Sequence, residues 1–299
     1  MSKFSIIVPI YNEETSIQRC LDSIFNQTYG DYEVIIVTDG KYNKSILKYR
    51  EKFSDKIKFM HIKKTKNMSI YEKTLHKVSG EYLLFIDCND YIEKNLLKIL
   101  NSKLKDYPDI VRFQVKEMQN AKVCMYRELP FETVRGLTAF KKFEKYHYFD
   151  NIQLYLYKKE FIDKFYKKYS KYVNDNFFAL GSFLVSQAEK VKSIGYVGYV
   201  IEKDKNKITN SPMELLQQYK IFSKYLVNCK TDNLTMWKSY VANLLIQKIV
   251  DLKAKKYKEY LKSLHENGIF NLVKQTGVEK WLICNYPKMY FKLKKEDND

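Results

Sequence analysis

Four apolar runs in the first ninety residues each stop abruptly at polar side chains. Phe4 to Ile10 ends at Tyr11-Asn12-Glu13-Glu14, Glu33 to Val37 ends at Thr38-Asp39-Gly40, Ile57 to Ile62 ends at two lysines, and Glu81 to Ile86 ends at Asp87-Cys88-Asn89-Asp90. The first, second and fourth are nearly continuous hydrophobic stretches, which read as strands covered on both faces, as in parallel sheets, and Ile57 to Ile62 reads as a further strand. Between the first two, Ile17, Cys20, Leu21, Ile24 and Phe25 repeat at helical spacing, and Ser69 to Ser79 also reads as a helix. Alternating strands and helices imply right-handed crossovers and an α/β fold, a mostly parallel sheet with helices on both faces. The polar strand ends near residues 11, 39 and 87 then meet on one edge, the carboxyl edge, where such sheets bind ligands.

Asp87, Asn89 and Asp90 offer hard oxygen donors, which suit Mg²⁺ or Mn²⁺ completed by water and phosphate oxygens. The same residues also suit an acidic turn, or the start of a helix near Glu93. His61, His76, His147 and His265 show no ligand spacing, so a zinc site is not expected.

The segments Ser5-Ile6-Ile7-Val8-Pro9-Ile10-Tyr11-Asn12-Glu13-Glu14, Val37-Thr38-Asp39-Gly40 and Gly80-Glu81-Tyr82-Leu83-Leu84-Phe85-Ile86-Asp87-Cys88-Asn89-Asp90 together resemble family 2 glycosyltransferases. The likeness is good from residue 4 to about 92, looser to about 205, and not visible beyond. It implies a GT-A fold, Rossmann-like, binding a nucleotide-sugar, with a UDP-sugar favoured. Pro9, Tyr11, Asn12 and Glu13 would line the base and ribose pocket, and Asp39 would accept a hydrogen bond from the base. Asp87 and Asn89, with Asp90 in reserve, would hold Mn²⁺ or Mg²⁺ on the donor diphosphate, with Cys88 beside it. Lys66, among Lys63, Lys64 and Lys73, could supply positive charge toward phosphate.

The chain departs from the family's pattern in several places. Asn89 stands where the second Asp of a DxD pair is usual and Thr38 replaces an acidic residue. Tyr71, Glu72 and Thr74 stand where an Ala-Arg-Asn loop is common. Past Leu154 to Ile162, the segment Val173-Asn174-Asp175-Asn176-Phe177-Phe178 resembles the family's acidic pair at a helix start, with Asn174 in the Glu position. The resemblance makes Asp175 the general base of an inverting transfer. An Asp in the first turn of a helix also has a purely structural use.

The 53 basic and 35 acidic residues leave a net charge of +18, a field that attracts polyanions. Only Arg19, Arg50, Arg112, Arg127 and Arg135 are arginine, so sequence-specific nucleic-acid recognition is not expected. Five cysteines without a CxxC pair argue against a disulfide framework. Met1-Ser2-Lys3 leads straight into the first strand, and no apolar run is long enough to span a bilayer. A cytoplasmic location, the inner face of the cell membrane included, is the expectation.

The expected organisation is a glycosyltransferase domain over 1–208, with a nucleotide-sugar half (1–92) and an acceptor half (93–208), followed by a helical region over 209–299. In the latter, Leu215, Leu216, Tyr219, Phe222 and Leu226 share one helix face, and Trp237, Val241, Leu244, Leu245, Lys248 and Ile249 lie on the next helix. The tail mixes Trp281, Tyr286, Tyr290 and Phe291 with Lys288, Lys292, Lys294 and Lys295. That pattern suits packing, a homodimer contact, or peripheral contact with an anionic membrane. The resemblance implies a glycan, lipid-linked glycan or glycoprotein acceptor. A non-catalytic relative with a degenerate metal site is the alternative.

Overall fold

A computed structural model describes residues 2–10, 17–38, 40, 44–62, 70–119, 122–126, 129–146, 152–170, 180–202, 216, 232–251, 262, 264–272 and 284–286. The chain divides into two compact units, Met1–Lys207 and Ile208–Asp299.

The first unit begins with β1 (Phe4–Ile10), α1 (Ile17–Phe25), β2 (Tyr32–Thr38), α2 (Lys44–Lys52), β3 (Ile57–His61), α3 (Ile70–Thr74) and β4 (Tyr82–Phe85). It continues through β5 (Tyr91–Ile92), α4 (Leu96–Ser102), β6 (Ile110–Gln119), β7 (Lys122–Tyr126), β8 (Phe131–Val134) and α5 (Gly136–Tyr146). It closes with β9 (Tyr155–Lys158), α6 (Lys159–Tyr169), α7 (Leu180–Gln187) and β10 (Val191–Glu202). Among the described residues the strands form one sheet, ordered β3-β2-β1-β4-β9-β6-β10-β5, with β7 added to β6 and β8 to β10.

β1, β2, β3, β4, β6 and β10 all point one way, because β9 runs antiparallel to both β4 and β6 and so preserves their common direction. β5, β7 and β8 run the other way at the margins. β2 is buried along its whole length, and β1 everywhere but Pro9, the burial that the uninterrupted apolar runs demand. α1 buries Ile17, Cys20, Leu21 and Ile24, one helical stripe.

Two elements differ from the sequence pattern. The helix expected over Ser69 to Ser79 is the short α3, followed by a tight turn in which Leu75 and Lys77 N–H donate to Glu72 and Thr74 carbonyls. The chain must break there, since Ser79 N–H is taken by the Glu33 carboxylate and Gly80 N–H by the Ser5 hydroxyl. The helix expected near Glu93 starts only at Leu96, because Tyr91 and Ile92 are drawn into the sheet beside β10.

In the second unit, α8 (Asp232–Asp251) buries Trp237, Val241, Ala242, Leu245 and Ile246 and contacts the 3₁₀ turn Ile269–Leu272. The helix expected around Leu215 to Leu226 and most of the aromatic tail lie outside the described residues. Among the described residues no helix is long and apolar enough to cross a membrane.

Candidate functional site

β1 and β4 differ in length at their carboxyl ends. β1 and β4 pair only from Phe4↔Tyr82 to Ile7↔Phe85, after which β1 runs on three residues beside β2. Tyr82 N–H donates to Lys3 C=O and Ile86 N–H to Ile7 C=O, so the odd-numbered residues of β1 face β4. Pro9 therefore faces the side where β4 has ended, and its missing N–H breaks no ladder bond. Residues 87–90 follow at the carboxyl end of β4.

Residues 87–90 form a tight turn whose polar groups are tied on several sides. Asp90 N–H donates to Asp87 C=O at 3.0 Å, closing the turn. The Asp87 carboxylate Oδ1 accepts Asn89 N–H at 3.0 Å and Asn89 Nδ2 at 3.3 Å, which sets the two side chains next to each other. Cys20 Sγ–H, from α1, donates to Asp87 C=O at 3.7 Å. Asp87 N–H donates to the Tyr199 hydroxyl at 3.1 Å, and that hydroxyl donates to Asp90 Oδ2 at 2.9 Å. Asp90 Oδ1 accepts Glu202 N–H at 3.2 Å, so both oxygens of this buried carboxylate are bound to β10. Burial, then the neighbouring Asp90 charge, pushes the Tyr199 phenol well above its ordinary range, keeping it protonated as a donor.

α1 braces the turn from outside. Arg19 donates to Asn89 C=O at 3.2 Å and to Glu202 Oε2 at 2.9 Å, and its guanidinium lies 4.8 Å from the centre of the Tyr91 ring. Ser23 Oγ accepts Ile92 N–H, and the Gln27 amide bridges Glu93 C=O and Leu97 N–H. The turn is thus held between α1 and β10.

The other expected site residues fall in several places. Thr38 Oγ1 accepts Gly40 N–H at 3.2 Å, so the residue that replaces an acidic one caps the turn at the end of β2. Tyr71 is buried with its ring 4.1 Å from that of Phe85, and Thr74 is buried with its hydroxyl on Tyr71 C=O. These two departures are core packing beneath the site. Cys88 is buried, Lys73 is exposed, and His61 and His76 are exposed. Tyr11, Asn12, Glu13, Asp39, Lys63, Lys64, Lys66 and Asp175 lie outside the described residues.

Sequence reasoning missed Tyr199, Arg19 and Glu202. Arg19 carried a faint signal, as one of few arginines in a lysine-rich chain directly after the first motif. Tyr199 carried none, being one of 26 tyrosines. Among the described residues no group of three His, Cys, Asp or Glu side chains is placed to hold a metal. The donor set at hand is one carboxylate and one amide oxygen, Asp87 and Asn89. That small, hard set fits Mg²⁺ or Mn²⁺, which take one or two protein oxygens and complete the shell with water and substrate phosphates.

In fold, the chain is similar to crystal structures of Staphylococcus aureus TarS. The fragment 1–349 in complex with UDP-GlcNAc aligns at a TM-score of 0.70 and 19% identity, covering 97% of this chain and 88% of that one. A Pyrobaculum calidifontis mannosyltransferase in complex with GDP-Man and Mn²⁺ aligns at 0.53 with 15% identity, covering 99% of this chain and 88% of that one. In sequence it is 33% identical over 107 residues to Streptococcus pneumoniae glycosyltransferase GlyA, 35% of this chain and 15% of that protein. It is 27% identical over 220 residues to Bacillus subtilis EpsJ, an uncharacterized glycosyltransferase, 70% of this chain and 63% of that one. The aligned stretch therefore spans less than two thirds of the length of these curated relatives. Residues 5–185 match glycosyl transferase family 2, more than half of the chain, and the protein belongs to that family.

Proposed function

We propose that the chain transfers a sugar, with inversion, from a nucleotide-diphosphate sugar to a glycan, lipid-linked glycan or glycoprotein hydroxyl. The observation that carries this reading is the braced 87–90 turn, which sets Asp87 and Asn89 side by side at the carboxyl end of β4 in a family 2 chain. A UDP-sugar is the favoured donor, because the TarS structure that this fold resembles holds UDP-GlcNAc.

Asp87 and Asn89 are the residues that would hold Mn²⁺ or Mg²⁺, and Asp90, with both oxygens engaged on β10, serves to hold the turn. When bound, the ion offsets negative charge on the departing diphosphate. Pro9, Tyr11, Asn12, Glu13 and Asp39 form the base and ribose side of the donor site, with Lys66 and Cys88 beside the diphosphate. Asp175 takes the proton of the acceptor hydroxyl as its oxygen bonds to the anomeric carbon. The bond from that carbon to the diphosphate oxygen breaks on the opposite face, and its electron pair leaves with the nucleoside diphosphate. The excess of lysine suits peripheral contact with an anionic membrane that presents such acceptors, and the C-terminal helices suit a homodimer contact.

Calorimetric titration with UDP and GDP, each with and without Mn²⁺, tests the donor site. Metal-dependent binding of one nucleotide that disappears in Asp87→Ala is the expected result. Binding of neither nucleotide would overturn it in favour of a non-catalytic assembly partner, a reading that the missing charge at Asn89 favours.

A further inference from the structure

Tyr199 touches both ends of the 87–90 turn through a single hydroxyl. It accepts from the first residue's N–H and donates to the last residue's carboxylate. It lies on a different strand from the turn and is fully buried, its ring stacked at 6.4 Å on Phe113. Its placement depends on an irregularity in β10. Val197 pairs with Gln114 and Tyr199 with Val115, so two steps along β10 match one along β6. Such a bulge re-aims the side chains that follow it. Without it Tyr199 would share a sheet face with Gln114; with it, Tyr199 joins Phe113 and Val115. Gly198 sits inside the bulge, where a Cβ would come 2.2 Å from Leu96 Cδ1, and its carbonyl accepts Glu93 N–H. The irregular stretch of β10, the start of α4 and the turn are thereby fitted to one another.

We propose that Tyr199 is a positioning residue of the donor site, its hydroxyl fixing the 87–90 turn so that the Asp87 carboxylate and the Asn89 amide are held side by side. The role rests on the donor-site reading above. Tyr199 touches neither donor nor ion in it, and acts through the Asp87 N–H and the Asp90 carboxylate. A buried tyrosine that served only to fill space would need its ring and not its hydroxyl, and phenylalanine separates the two functions.

The test compares wild type with Tyr199→Phe in the full chain by two measurements. The first is amide hydrogen exchange of residues 86–92 without ligand. The second is calorimetric binding of UDP with and without Mn²⁺. The proposal expects a cooperative melt, exchange of the turn about tenfold faster from the loss of one hydrogen bond, and unchanged exchange in β1 and β2. It also expects metal-dependent UDP binding about tenfold or more weaker, the usual consequence of removing a partner that orients a metal ligand, with metal-independent binding unaltered. Unchanged exchange, or unchanged metal-dependent binding, would overturn it. If wild type itself binds no nucleoside diphosphate, the donor-site reading falls and the positioning role with it; faster exchange would then mark the hydroxyl as a fold residue only. Should Tyr199→Phe fail to fold, Asp90→Ala removes the same bond from its other end. Faster exchange and weaker metal-dependent binding support the proposal there, and wild-type behaviour in either overturns it.

Discussion

Glu33 shows how one buried carboxylate sets a boundary in the fold. Burial alone would raise its pKa, but the Lys58 ammonium, the Ser5 hydroxyl and the Ser79 N–H together outweigh burial and hold it below the ordinary 4.5. A carboxylate with a lowered folded pKa contributes stability that is complete above its unfolded value and is lost as pH falls through the folded one. Urea unfolding at pH 7 should show Glu33→Gln less stable by about 1–3 kcal/mol, with the gap narrowing below about pH 4.5. A gap constant down to pH 3 would contradict this. Arg19 makes a contrasting case, since its ion pair with Glu202 is half exposed and such pairs are worth about 0–1 kcal/mol. Arg19→Ala should barely move the urea midpoint, and any loss should appear in metal-dependent nucleotide binding, through the Asn89 carbonyl it holds.

At the scale of elements, the junction between α3 and β4 is tightly constrained. A Cβ on Gly80 would lie 2.5 Å from Ser5 N and 2.6 Å from Phe4 C, backbone atoms of a central strand that cannot give way. Gly80→Ala should therefore cost about 1–3 kcal/mol in urea unfolding, and a neutral result would mean that β1 and β4 can separate at that end. The apolar runs made β1, β2 and β4 legible, because continuous hydrophobic stretches leave few alternatives; β3, with Lys58 and His61 exposed, lies at the end of the sheet. β5 and the bulge in β10 were not legible. Two residues, Tyr91 and Ile92, are too short a pattern to mark a strand, and a bulge is settled by what packs across it, here Leu96 against Gly198.

For the molecule as a whole, the net charge of +18 favours attraction to polyanions. It should be separable from the donor site. Retention on heparin should fall steeply with salt and be the same in Asp87→Ala, which at the same time loses metal-dependent UDP binding. Parallel loss of both would place the polyanion at the donor site.

The sequence by itself determined the α/β character of the first unit, its strand succession and the common carboxyl edge of β1, β2 and β4, because burial on both faces writes itself into residue order. The motifs around Pro9, Asp39 and Asp87 marked the family by the same local means. Only the tertiary structure decided what Asp90 touches, that Thr38 and Tyr71 serve as turn cap and core beneath the site, and that Tyr199 and Arg19 brace the turn. Those assignments join residues 109 to 112 positions apart in the case of Tyr199, Asp90 and Asp87. The pairing that brings them together arises from sheet order and a bulge in β10, neither of which leaves a periodic trace in the chain.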